Sequence, residues 1–142
     1  MTSRRFFIAS MLATGLAPMP TWADVGDPTH LSAGMMRDGS FVLCGLGANG
    51  RSAFQQTLPA RGHAAVAHPT RAEAVAFARR PGTLALVMDC RTGKQIAHLV
   101  APQGSHFYGH GAFSADGAHL FTTENEIETG RGIVGIWDPR NG

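Results

Sequence analysis

The stretch Gly62-His63-Ala64-Ala65-Val66-Ala67-His68-Pro69-Thr70-Arg71-Ala72-Glu73-Ala74-Val75-Ala76-Phe77-Ala78, closing on Val87-Met88-Asp89-Cys90-Arg91-Thr92-Gly93, decides the fold, because its plan occurs twice. The second copy opens at Gly109-His110 and closes on Ile136-Trp137-Asp138-Pro139-Arg140-Asn141-Gly142. Between each Gly-His and its Asp lie an apolar stretch, a polar turn, another apolar stretch, a Gly-containing link and a third apolar stretch. The apolar residues recur with period two and Gly interrupts every long run, so the stretches read as strands and not as helices.

A repeat of roughly 40–50 residues with this content reads as blades of a β-propeller. In the first copy the strands are expected over 64–68, 73–79, 83–89 and 95–100. In the second they are expected over 111–114, 118–124 and 133–138, with a longer link over 125–132. A partial unit precedes them, with strands over 31–37, 40–46 and 52–58, the first two joined by the hairpin turn Asp38-Gly39. Aligning Gly50 with Gly93 gives this unit the second, third and fourth strands of a blade and no first. The expectation is an all-β chain: two to two and a half four-stranded blades of a seven-bladed propeller, truncated as the opening third of a longer protein. Open sheet edges and bare apolar faces would then make it prone to aggregate.

Residues 1–23 read as a leader. Arg4-Arg5 is a basic start, residues 6–16 are an apolar run too short to span a bilayer as a helix, and Thr21-Trp22-Ala23 is close to a small-x-small cleavage site. Cleavage is expected after Ala23, leaving 24–142 as the propeller fragment with no stable membrane anchor. Ser3-Arg4-Arg5-Phe6-Phe7-Ile8 resembles the twin-arginine translocation motif, which implies a periplasmic protein exported already folded; a general secretory leader with two arginines is the alternative.

Apolar residues make up 44% of the chain and charged residues 15%, a globular balance. Two of the 12 basic residues lie in the leader, leaving ten against 10 acidic ones, so the remainder is formally neutral. That balance argues against a nucleic-acid or anionic-membrane surface. Export would permit a disulfide, but the repeat puts Cys44 and Cys90 on neighbouring blades that diverge, which favours two separate thiols, at least one of them buried.

Gly109-His110 with Trp137-Asp138 resembles the WD40 repeat, and the run from Val87 to Lys94 resembles the Tyr-Val-Thr-Asn repeat of seven-bladed propellers. A closer resemblance rests on Pro59-Ala60-Arg61-Gly62-His63, Phe77-Ala78-Arg79-Arg80-Pro81-Gly82-Thr83 and His106-Phe107-Tyr108-Gly109-His110-Gly111. Phe113-Ser114-Ala115-Asp116-Gly117, Thr122-Thr123-Glu124-Asn125 and Thr129-Gly130-Arg131-Gly132 complete it. Together they resemble the domain of unknown function 1513 family, exported propeller proteins with no assigned activity. The resemblance implies a setting beside periplasmic iron-uptake proteins, imelysin-like ones among them, and implies no chemistry.

Two readings stand for His63 and His110: a ring of imidazoles for a metal or anion, or a structural pin repeated in each blade, which the repetition favours. His106, Tyr108 and His110 alternate, so an extended chain would put two imidazoles and a phenol on one face, a set suited to iron or copper. Tyr108 capping a blade is the plainer reading. Arg79, Glu124, Asn125 and Arg131 fall at the second-to-third-strand links, where they would bind a small polar ligand or pair with each other. No nucleophile stands beside a base at a meaningful spacing. The sequence therefore leans away from an enzyme and toward a periplasmic binding or scaffold protein linked to iron or metal handling. A metal- or haem-dependent redox component and an inactive truncated product are the alternatives, and the sequence names no cofactor.

Overall fold

The computed structural model describes residues 19–79 and 82–141, so the Arg4-Arg5 motif and the apolar run that follows it lie outside the described residues. Among the described residues, ten strands form three antiparallel sheets. The first holds β1 (His30–Met35), β2 (Phe41–Leu46) and β3 (Ser52–Leu58) in chain order. The second holds β4 (Gly62–Ala67), β5 (Glu73–Ala78), β6 (Leu84–Asp89) and β7 (Gln95–Val100). The third holds β8 (Ser105–Phe113), β9 (Leu120–Glu126) and β10 (Gly132–Trp137). The fold is all-β, with a 3-10 turn over Trp22–Val25.

Local chemistry sets the turns. Asp38 Oδ1 accepts the Ser40 backbone N–H at 2.9 Å, and Gly39 takes the left-handed φ of 87° that this tight turn requires. Asp89 and Asp138, the acids that close the two sequence copies, act alike. Asp89 Oδ1 accepts from the Arg91 and Thr92 N–H groups and Asp138 Oδ1 from the Arg140 N–H. These bonds hold both carboxyls below their usual range, against the opposing pull of burial at Asp89.

The second sheet is packed on both faces, which is why β5 reads Glu-Ala-Val-Ala-Phe with every one of those residues buried. Its small residues Ala74 and Ala76 meet Leu43 and Leu58 of the first sheet. Its larger ones, Val75 and Phe77 with Val87 of β6, meet Phe107 and Leu120 of the third. Phe107 is fully buried, its ring 6.1 Å from Phe77 and 5.5 Å from Trp137 between centroids. Burial of this aromatic set contributes several kcal/mol of hydrophobic stabilisation.

The outer face of the third sheet is different. Val134 and Ile136 are each 68% exposed and Phe121 37%. Ile136 pairs with Phe121 as Val87 pairs with Val75 in the second sheet, where both partners are fully buried.

Three expectations need correction. β1 packs against β4 as β4 packs against β8, so the first unit does supply a strand in the leading place. Next, β8 starts at Ser105 and not at Gly111, because it contains a bulge. Its register passes from Phe107 opposite Glu124 to Gly111 opposite Thr122, leaving Tyr108, Gly109 and His110 facing Thr123 alone. Last, the link expected over 125–132 is shorter, since β9 runs through Glu126 and β10 starts at Gly132.

Candidate functional site

The bulge in β8 organises the most distinctive cluster of side chains. Gly109 adopts φ 94°, a conformation that L side chains resist, and a Cβ there would overlap the His63 ring. Glycine thus lets β8 lie close to β4, and the adjoining His110 ring meets His63 edge-on with centroids 5.1 Å apart. One turn of the bulge away, the His106 and Tyr108 rings stack at 6.0 Å and 15°. His106 Nδ1 donates to the Phe107 carbonyl at 3.0 Å, which leaves Nε2 as the nitrogen able to accept a proton or a metal. The three rings enter two pairs, His106 with Tyr108 and His110 with His63, while buried Phe107 and Gly109 alternate with exposed Tyr108 and His110. The His63–His110 pair bridges β4 and β8 and the His106–Tyr108 pair lies within β8, with His63, Tyr108 and His110 exposed.

The other candidates are placed apart from that cluster and from each other. Glu124 is 5% exposed, and its Oε1 accepts from Thr122 Oγ1 at 2.6 Å and Trp137 Nε1 at 2.9 Å. The absence of a side chain at Gly135 makes the room it occupies. Glu124 is thus a satisfied interior carboxylate tying β9 to β10. Asn125 lies opposite His106 in the β8–β9 ladder and donates to the Glu126 carbonyl at 3.1 Å. Arg131 forms an exposed ion pair with Glu126 at 3.4 Å. Arg79 is exposed beside a groove of about 490 Å³ that Arg61 and Thr83 also line. Among the described residues no three His, Cys, Asp or Glu side chains converge as a ready metal site, so the imidazoles stand as a pair.

Sequence reading missed a buried polar hub. Glu73, 6% exposed, faces Arg71 Nε at 3.0 Å and is bridged by Arg140 from the turn after β10. Beside them His68, 1% exposed, accepts the Thr70 and Arg71 backbone N–H groups at Nδ1, at 3.1 and 3.0 Å. Its Nε2 abuts Gly117 and its ring meets Phe113 edge-on at 5.0 Å. Burial, then the Arg71 charge, pushes the His68 pKa down. The two cysteines are free thiols, and burial, aided by Asp89 and Glu73, pushes the Cys90 pKa up to about 12.

A family model described as a protein of unknown function (DUF1513) matches residues 56–142. The chain belongs to this family. The DUF1513 match begins near the end of β3 and includes both ring pairs and the Glu73–Arg140 bridge, while β1 and β2 precede it. No curated protein matches the chain. No helix among the described residues is long and apolar enough to cross a membrane.

Proposed function

We propose that the chain is an exported, periplasmic binding or scaffold protein whose three sheets are successive blades of a β-propeller. Its ligand surface would be the edge where β4 and β8 meet. The observation that carries this reading is the His63–His110 contact, 5.1 Å between rings on exposed neighbouring strands. Two borderline-soft imidazoles so close suit a transition metal or a metal-bearing ligand, with His106 and Tyr108 nearby on the same strand. The side-by-side order of β1, β4 and β8 supports the propeller arrangement, in which leading strands surround a central passage. An iron- or metal-handling setting fits that chemistry.

Calorimetric titration of the full chain with Cu(II), Ni(II), Fe(III) and haem tests the proposal. Binding of at least one, lost in His63→Ala and His110→Ala, is the expected result. No heat with any of the four, or binding indifferent to both substitutions, would overturn it. A redox-active loaded form whose spectrum depends on Tyr108 would move the reading to a redox component.

A further inference from the structure

The segment just before the first sheet is built into the fold. The Ala72 backbone N–H donates to the Pro20 carbonyl at 3.0 Å, and Thr21 forms an antiparallel bridge with Arg71. The Trp22 indole N–H donates to the His68 carbonyl at 2.7 Å, and the Trp22 ring packs on the core between the first and second sheets. Residues 22–25 then turn once as a 3-10 helix that buries Val25. Asp24 Oδ2 accepts the Thr21 N–H at 2.7 Å and its hydroxyl at 3.1 Å, so the turn is closed from within.

The leader cleavage expected after Ala23 would cut inside this turn. It would remove Thr21 and Trp22 and strip the His68 carbonyl and the Ala72 N–H of their partners. A peptidase must draw several residues around the scissile bond into an extended strand, and backbone bonded at both ends resists that. Chains exported through the twin-arginine route present their cleavage site after folding, so the obstacle would be present at the moment of processing.

We infer that Pro20–Val25 is a permanent strap of the folded unit, and that processing of the exported chain spares the Ala23–Asp24 bond and leaves Thr21 and Trp22 on the mature protein. This rests on the export reading above. The His68 hub and the second sheet then have the same partners before and after export.

Expressing the full chain in a bacterium with a working twin-arginine pathway, and measuring the intact mass of the periplasmic species, tests the position of processing. A chain beginning at or before Pro20 is expected; one beginning at Asp24 overturns the inference. Full-length chain found only in the cytoplasm would instead defeat the export reading, and the strap is then judged by limited proteolysis of that same chain. Cleavage within 20–25 should be no faster than within the β4–β5 hairpin, and faster by about fivefold in Trp22→Phe, which keeps an aromatic ring and loses the indole donor. Early cuts within 20–25 in the unsubstituted chain, or no change in Trp22→Phe, count against the strap.

Discussion

The guanidinium of Arg140 reaches back across 67 residues to the carboxylate of Glu73, joining the last turn of the third sheet to the first residue of β5. Glu73 is shared, since Arg71 faces its other oxygen. One buried acid thus holds two bases from different sheets, and its loss is not equivalent to losing either base.

Glu73→Ala should therefore destabilise by about 2–3 kcal/mol, because Arg71, with its side chain 23% exposed, is left with a charge and no acceptor. Arg140→Ala should cost less than about 1 kcal/mol, as that side chain is 41% exposed and well screened. Urea unfolding midpoints check both. Equal losses in the two variants would contradict the shared-acid account.

Acid should weaken the fold through His68. Its folded pKa lies below the ordinary 6.5, so the unfolded chain binds the proton more readily. The stabilising contribution is full above about pH 6.5 and declines as pH falls through the lowered folded value. Protonation at Nδ1 would also set an N–H against two backbone donors. Unfolding free energy should fall between pH 7 and 5, and the slope should shrink in His68→Asn, whose side-chain oxygen can still accept a bond.

Gly109→Ala should destabilise by about 1–3 kcal/mol, combining a strained positive φ with displacement of the His63 ring. Separating the imidazoles should also weaken Cu(II) binding. Thermal melting and metal titration on the same sample check the two effects together.

The thiols should stay unpaired and unequal. Cys90 is 1% exposed with its pKa pushed up to about 12, and burial also raises that of Cys44. In the native protein at pH 8, Cys90 should resist a thiol reagent, whereas two thiols react in urea. An intact mass two hydrogens light under non-reducing conditions would show a bridge and refute this.

The sheets were legible where turn chemistry and alternation agree. β7 was placed at 95–100 by Thr92-Gly93 ahead of an alternating run, and Asp38-Gly39 located the first hairpin. Reading failed where a bulge breaks the alternation. Gly109-His110 looked like the lead-in to a strand, yet it lies within β8, so six residues of that strand were left out. Glu124 stands at the end of its expected strand, 118–124, where sequence alone does not say which way its side chain faces. Only the tertiary setting, with its carboxylate lying over Gly135 and the Trp137 indole donating to it, turns it toward the interior. Neither the Glu73–Arg140 bridge nor the Trp22–His68 bond has a local signal, since each depends on how sheets stack. The candidate site was legible as residues and not as an arrangement: His63 and His110 were matched as repeats, and their contact follows from strand adjacency.

The bare face of the third sheet has a consequence for handling the protein. The Phe121–Ile136 pair offers water apolar side chains at the ladder place where Val75 and Val87 drive the second sheet against the third. Attraction between such faces grows with salt, which screens charge and strengthens apolar association. Light scattering should give a second virial coefficient that turns negative as ammonium sulfate is added, and Ile136→Lys should restore mutual repulsion. This exposed face thus contributes to the colloidal character of the molecule.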